Sequence, residues 1–289
     1  YRPTNFLGLM SSFLSHRRKA FRGGGGTGYL LDDYAGASAA YSLRELTTTS
    51  WNAGDWVIRA GRGGDLVQAD FTATEITDGT IDAWSVAGSG TGIAWVVRWY
   101  DQSGNSNNAS NVSFPLIVQS GAVLANGILF DGNDDSFNCG FGHGSTSAQS
   151  MMVVGQTSDL TTVRTQLSGF EANDDGLNLS LLGGGGDGVR ISVDAVDVFT
   201  SATLANVEYL WSAFYGSSTA TIFRDGTQEA TDTVSASINS GTQNYFIGRI
   251  GYTSATYWKG SIQEIIIYPD DQSANQAGID GNITTHYGI

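Results

Sequence analysis

The sequence predicts an all-β fold: a jelly-roll sandwich of two antiparallel sheets with short peripheral helices and an extended N-terminal arm. Three observations predict it. Charged residues make up only 15% of the chain, while Gly numbers 39 and Pro 3, a balance suited to turn-rich β structure. Short apolar, β-branched runs recur after Gly92 and are separated by Gly-rich turns. One run, residues 219–224, leads into Asp225-Gly226, a two-residue hairpin signal. With 40% hydrophobic and 11% aromatic residues the chain can fill a sizeable core, which excludes general disorder.

Taken in order, residues 1–28 read as an arm. It joins an apolar patch containing Phe6 and Phe13 to the basic residues Arg17, Arg18, Lys19 and Arg22, and then to the glycines 23–26. Four consecutive glycines leave the backbone free to bend, so the arm is expected to order on a partner. Residues 29–91 read as an extension packed on the sandwich. Within it, residues 32–46 suggest a short helix capped by Asp32 or Asp33, with Ala37, Ala40, Tyr41 and Leu43 on one face. Residues 57–59 and 66–71 suggest strands, and residues 81–86 a helical turn capped by Thr80.

The sandwich itself is expected over 92–289. Candidate strands are 94–99, 123–130, 151–156, 177–182, 189–193, 207–215, 219–224, 245–249 and 261–268. Trp95, Val97, Phe130, Val153, Leu210, Ile247 and Ile266 are expected in or near the core. Trp95 and Trp99, four apart, should share the buried face. Pro269 ends the last strand, and residues 271–287 read as a closing helix weakened by Gly278 and Gly281. The spacing fits a sandwich rather than βαβ units.

The net charge of −14 is unevenly spread. The first 31 residues hold five basic side chains and no acid; the remainder carries nine basic residues against 28 acids, a balance of −19. An acidic body argues against general nucleic-acid binding, while a basic arm can meet an acidic partner. No run of 18 apolar residues offers a membrane-spanning helix. Cys139 is the single cysteine, so no intrachain disulfide forms; among small residues it reads as a buried filler. His16, His143 and His286 lack an activating pattern, and neither a zinc-ligand spacing nor a phosphate loop is present.

Two resemblances carry the functional expectations. The segment 120–268 resembles a laminin-G/concanavalin-like domain through Phe130-Asp131-Gly132-Asn133-Asp134-Asp135, Thr221-Ile222-Phe223-Arg224-Asp225-Gly226, Phe246-Ile247-Gly248-Arg249 and Tyr257-Trp258-Lys259-Gly260-Ser261-Ile262. Ala39-Ala40-Tyr41-Ser42-Leu43-Arg44-Glu45-Leu46 and Trp99-Tyr100-Asp101-Gln102-Ser103-Gly104-Asn105 resemble the catalytic module of fungal-type α-L-arabinofuranosidase B. Together with the ending Lys259 to Tyr268, they also look like marine bacteriophage structural or appendage proteins.

The arabinofuranosidase resemblance implies a nucleophilic Glu and an acid/base Asp. The matching positions here hold Val196 and Tyr252, so the resemblance implies that both carboxylates are replaced, and no catalytic residue is expected. The remaining candidates for a pair of carboxylates are Asp101, Asp131, Asp134, Asp135, Asp194, Asp197 and Glu264. Asp101 is expected to be buried, accepting backbone N–H bonds after a strand.

The expected function is therefore that of a non-enzymatic virion structural or appendage protein with a lectin-like sandwich able to bind host-surface glycans. The alternatives are a glycoside hydrolase of arabinofuranosidase type and a free extracellular carbohydrate-binding protein. Asp131, Asn133 and Asp135 could hold Ca²⁺, and Asp134 with Trp258, Tyr252 and Tyr257 could hold a glycan; Trp84 is a further stacking candidate. The expected partners are other virion proteins, reached through the arm, and further copies of the chain. The expected location is a virion or the extracellular space after synthesis in host cytoplasm.

Overall fold

The structure, a computed structural model, describes residues 28–144, 146–169, 177–181, 188–193, 196–202, 204–216, 218–234, 243–251 and 256–289. Residues 1–27 of the arm with its expected anchors, the turn at 183–186, Asp194 and Tyr252 lie outside these residues. The strands in chain order are β1 (Ala39–Ser42), β2 (Trp56–Arg62), β3 (Gln68–Thr72), β4 (Ala94–Trp99), β5 (Ala109–Asn111), β6 (Leu116–Gln119) and β7 (Ala122–Val123). They continue with β8 (Ile128–Asp131), β9 (Phe137–Asn138), β10 (Gln149–Thr157), β11 (Arg164–Ser168), β12 (Leu177–Leu181) and β13 (Gly188–Val193). The last six are β14 (Val196–Ala202), β15 (Tyr209–Gly216), β16 (Thr219–Arg224), β17 (Thr227–Thr233), β18 (Phe246–Ile247) and β19 (Lys259–Tyr268). The helices are α1 (Leu30–Asp33), α2 (Ala73–Thr77), α3 (Thr80–Val86) and α4 (Gln276–Tyr287).

Every ladder between these strands is antiparallel. One layer runs β17–β16–β15–β10–β19, and the far edge of β19 is shared by β1 and β8. The other runs β14–β13–β12–β11–β18–β9–β5–β4–β2–β3. The short strands β8 and β6 bridge the two layers to β4 at one corner, and β14 packs against β16 and β17. This is the expected β-sandwich.

Between the layers, Met151, Val153, Ala213 and Ile265 meet Leu167, Leu179, Ile191 and Ile247. Tyr41, Trp99, Phe137 and Phe130 form an aromatic chain through the same core. A second core covers the outer face of the first layer. There Met152, Val154, Leu210, Phe214 and Ile266 meet Ile279 and Ile283 of α4 and Leu30 and Leu31 of α1. Strands buried on both faces read as continuous apolar runs, which accounts for Met151-Met152-Val153-Val154 and Ile265-Ile266-Ile267. Gly278 lets α4 approach closely: a Cβ there would lie 1.8 Å from the Tyr34 hydroxyl.

Three expectations are corrected. Residues 32–46 are not a helix: α1 ends at Asp33, and residues 39–42 form β1, all buried against β19. Pairing with a central strand outweighs the weak helical pattern of the alanines. Segment 29–91 supplies strands to both layers rather than lying on them, with Tyr41 and Ile58 fully buried. Third, Trp95 and Val97 are only half-buried, because the β2–β4 ladder skips Val97 between Ala60↔Val96 and Arg59↔Arg98. This irregularity reverses the alternation. Ala94 and Val96 then face inward with Trp99, and Trp95 faces outward.

Candidate functional site

The two motifs resembling arabinofuranosidase are one mechanical unit. Asp101, 2% exposed, accepts the Ala40 N–H at 2.9 Å, the Ser103 N–H at 2.9 Å, the Ser103 hydroxyl at 2.8 Å and the Asn107 N–H at 3.0 Å. Gln102 accepts the Leu46 N–H at 2.8 Å through Oε1 and donates to the carbonyls of Ser42 at 3.1 Å and Arg44 at 2.9 Å. The loop after β4 thus clamps the segment containing β1, the role expected of Asp101. A cavity of about 530 Å³ opens beside this clamp, lined by Asp32, Thr47, Thr48, Ser50, Trp51 and Ser103 among others. Asp32 is occupied within it, accepting the hydroxyls of Thr47 at 2.6 Å and Thr48 at 2.7 Å.

Glu264 is also structural. It lies 1% exposed on β19, and Arg44 donates to it twice, at 2.7 and 2.9 Å. Ser42 donates at 2.8 Å and Tyr287 of α4 at 3.0 Å. Burial alone would raise the Glu264 carboxyl, but the Arg44 charge and these hydrogen bonds hold it below its ordinary value. Asp197 accepts the Ser192 hydroxyl and pairs with Arg190 at 3.3 Å. Cys139 is 1% exposed, and burial pushes its thiol up to about 12, which removes it as a nucleophile.

The acidic turn after β8 differs, because part of it faces solvent. Oxygens of Asp131, Asp134 and Asp135 all lie within 4.8 Å of one another. Asp131 and Asp134 are exposed, while Asp135 is 6% exposed. Asp135 accepts the N–H of Phe114 at 3.1 Å and that of Asp131 at 3.0 Å, tying loop 111–115 to the turn. Burial, with the charges of Asp131 and Asp134, raises the Asp135 carboxyl to about 6. Burial also raises Asp131, but hydrogen bonds from Asn133 and Asp134 outweigh it and hold that carboxyl low.

Several carboxylate oxygens in a small radius suit a hard cation such as Ca²⁺. Asp131, Asp134 and Asp135 are the residues that would hold it. Asn133 donates its side-chain amide to Asp131 at 2.8 Å, so it orients a candidate ligand rather than facing a cation beside it.

The expected aromatic platforms are redistributed. Trp258 is 2% exposed and belongs to the main core, with its indole N–H directed at the Ser261 carbonyl at 3.4 Å; it cannot stack on a glycan. Tyr257 is half-buried, and its carbonyl accepts from Arg164. Trp84 packs edge-on against Phe71 beneath Arg62. Sequence reasoning missed Phe114, which is 63% exposed and meets Trp95 edge-to-face with ring centroids 5.4 Å apart. Its only signal was an aromatic residue before Pro115 in a polar loop.

No family model matches the chain, and no curated protein matches it in sequence. Solved structures do match in fold. A GH54 α-L-arabinofuranosidase soaked with a cyclic sulfate inhibitor aligns with a TM-score of 0.62 at 13% identity, covering 86% of this chain and 63% of that one. A mutant GH54 α-L-arabinofuranosidase soaked with 4-nitrophenyl α-L-arabinofuranoside aligns at 0.64 and 14% identity, covering 89% and 64%. An arabinofuranosidase complexed with arabinofuranosyl-α-1,2-xylobiose aligns at 0.58 and 17% identity, covering 86% and 62%. The chain therefore spans less than two thirds of the length of these proteins, and its likeness to them is one of β-sandwich fold.

Proposed function

We propose that this chain is a non-catalytic carbohydrate-binding β-sandwich, carried as a structural or appendage protein of a bacteriophage virion. The observation that carries the glycan reading is the partly exposed carboxylate cluster of Asp131, Asp134 and Asp135 on a turn held rigid by Asp135. Exposed carboxylates accept sugar hydroxyls directly, and a bound Ca²⁺ would supply further coordination to them. The fold likeness to glycan-processing proteins agrees with this reading. The virion assignment is supported by the resemblance of three motifs to phage proteins and by the opposite charge of arm and body.

The absence of catalysis is supported by the occupied carboxylates. Asp101, Glu264 and Asp197 are each engaged in holding the fold, and Val196 and Tyr252 stand where the arabinofuranosidase resemblance implies carboxylates. One observation favours a hydrolase instead: Asp135 and Asp131 are close and are shifted in opposite directions, the pattern of an acid and a nucleophile. Against it, Asp135 is 6% exposed and both its oxygens accept backbone N–H bonds, which is the work of a residue that holds the turn together.

The test is a glycan array probed with and without chelator, beside an assay on aryl α-L-arabinofuranosides. Binding that falls with chelator and with Asp134→Ala, without turnover, supports the proposal. Binding indifferent to both, or turnover abolished by changing one carboxylate, rejects it. Mass spectrometry of purified particles tests the virion assignment.

A further inference from the structure

We infer that the cavity beside the Asp101–Gln102 clamp is a second sugar site, which takes one neutral monosaccharide residue and needs no cation. It shares no residue with the acidic turn and goes beyond the reading above. Three loops wall the cavity: the one leaving α1, the one after β1 and the one after β4. Hydrogen bonds tie them together. Leu31 donates its N–H to the Leu46 carbonyl at 2.8 Å, Leu46 donates to Gln102 at 2.8 Å, and the Asn105 amide donates to the Ala37 carbonyl at 2.9 Å. The cavity of about 530 Å³ is therefore built by the fold, and its size suits a small molecule.

The wall after β1 sets the chemistry. Asp32 accepts the hydroxyl protons of Thr47 at 2.6 Å and of Thr48 at 2.7 Å. A hydroxyl has one proton and two lone pairs, so both threonines are left as acceptors. Thr47 uses one lone pair on the Thr49 N–H at 3.0 Å. Among the described residues no donor reaches the Thr48 hydroxyl, so both of its lone pairs remain open. Trp51 supplies the apolar counterpart. Its indole N–H donates to the Trp56 carbonyl at 2.9 Å and its ring packs partly against the main core, which fixes its place in the lining. Hydroxyl acceptors and an indole in one cavity fit a ring with O–H donors and a C–H face, that is, a pyranose or furanose.

Charge narrows the choice. Among the described residues, the lining carries one carboxylate and no cation. Burial would raise the Asp32 carboxyl, but hydrogen bonds from Thr47 and Thr48 outweigh it and hold it low, so the charge persists at neutral pH. A carboxylated sugar would meet that charge with nothing to offset it. A cationic ligand would find no open oxygen on it. Asp32 Oδ1 already accepts from the Thr47 hydroxyl and the Thr48 N–H, and Oδ2 from the Thr48 hydroxyl and N–H. A neutral sugar complements the site on both counts.

The experiment is run in chelator, which silences cation-dependent binding at the acidic turn. The full chain, Ala35→Trp and Thr48→Val are titrated by calorimetry with methyl glycosides of neutral hexoses and pentoses, and with the corresponding uronic acid glycosides. Ala35 and Thr48 line the cavity, are exposed and lie outside both cores, so the fold should survive either change. Ala35→Trp fills the cavity, and Thr48→Val removes the acceptor while keeping the shape. The expected result is saturable binding of at least one neutral glycoside, abolished by Ala35→Trp and weakened about fivefold by Thr48→Val. Its uronic acid counterpart should bind at least about tenfold more weakly. No neutral binding in chelator, or binding that persists in Ala35→Trp, overturns the cavity site. The acidic turn is judged separately, by array binding without chelator. Binding unchanged in Thr48→Val overturns the acceptor role, and equal binding of the uronic acid glycosides overturns the charge preference.

Discussion

The Asp101 carboxylate accepts the backbone N–H of Ala40 at 2.9 Å, joining residues 61 positions apart inside the sandwich. With Gln102 it fixes β1 against β19 and orders the loop to Asn107. Asp101→Ala would leave the N–H groups of Ala40 and Asn107 without their acceptor. The expected cost is about 3 kcal/mol, read as a lower urea midpoint. Asp101→Asn, which keeps one acceptor oxygen, should cost less. An unchanged midpoint for the alanine variant would contradict the clamp.

Arg44 and Glu264 form the buried ion pair that fastens β1 and α4 to β19. Glu264→Gln leaves the Arg44 charge uncompensated and should cost about 3–5 kcal/mol. Replacing both residues with apolar side chains should recover most of that loss. Because the Glu264 carboxyl is held below 4.5, its contribution is present above that pH and is lost as pH falls through the folded-state value. Equilibrium unfolding of the single and double variants checks both statements.

Asp135 should show the opposite pH dependence. Its carboxyl is raised from 3.8 to about 6, so between those values the folded state holds a proton that the unfolded chain has released. Its own contribution to stability therefore increases as pH falls from about 6 toward 4. Asp135→Asn should flatten this component of the stability profile. Cation binding at the turn should weaken over the same range, because protonation removes a carboxylate ligand. Calorimetric Ca²⁺ titration at pH 5 and pH 7 reads this directly, as about the same affinity would disagree with it.

The aromatic residues separate into core and surface. Trp258→Ala should cost about 3–5 kcal/mol by leaving a cavity in the main core. Phe114→Ala should change stability by less than about 1 kcal/mol, since most of that ring already faces water. Thermal melts of the two variants distinguish these roles.

Much of the fold was legible because its signals are local. The runs Met151 to Val154 and Ile265 to Ile267 announced strands, which the structure buries on both faces, and Asp225-Gly226 announced the β16–β17 turn. What escaped depends on partners distant in sequence. The alanines around Tyr41 look helical until β19 is beside them. Trp95 looks internal until the irregularity at Val97 turns it outward. At the site, the Asp131 to Asp135 cluster was readable because its members are adjacent. Phe114 was not, since the link that ties it to the turn is the hydrogen bond from its N–H to Asp135, 21 positions away. Trp258 was misassigned because a strand-entry tryptophan has the same sequence appearance whether it faces a ligand or the core.

The most direct test of the central claim measures binding and turnover on one sample. The full chain is titrated with an oligosaccharide selected on the array, and the same mixture is sampled for reducing-end products and for release of 4-nitrophenol from 4-nitrophenyl α-L-arabinofuranoside. The account predicts saturable binding, reduced by chelator and by Asp134→Ala, with no product from either substrate. Product formation that disappears on replacing a single carboxylate, or binding unaffected by chelator and by Asp134→Ala, would contradict it.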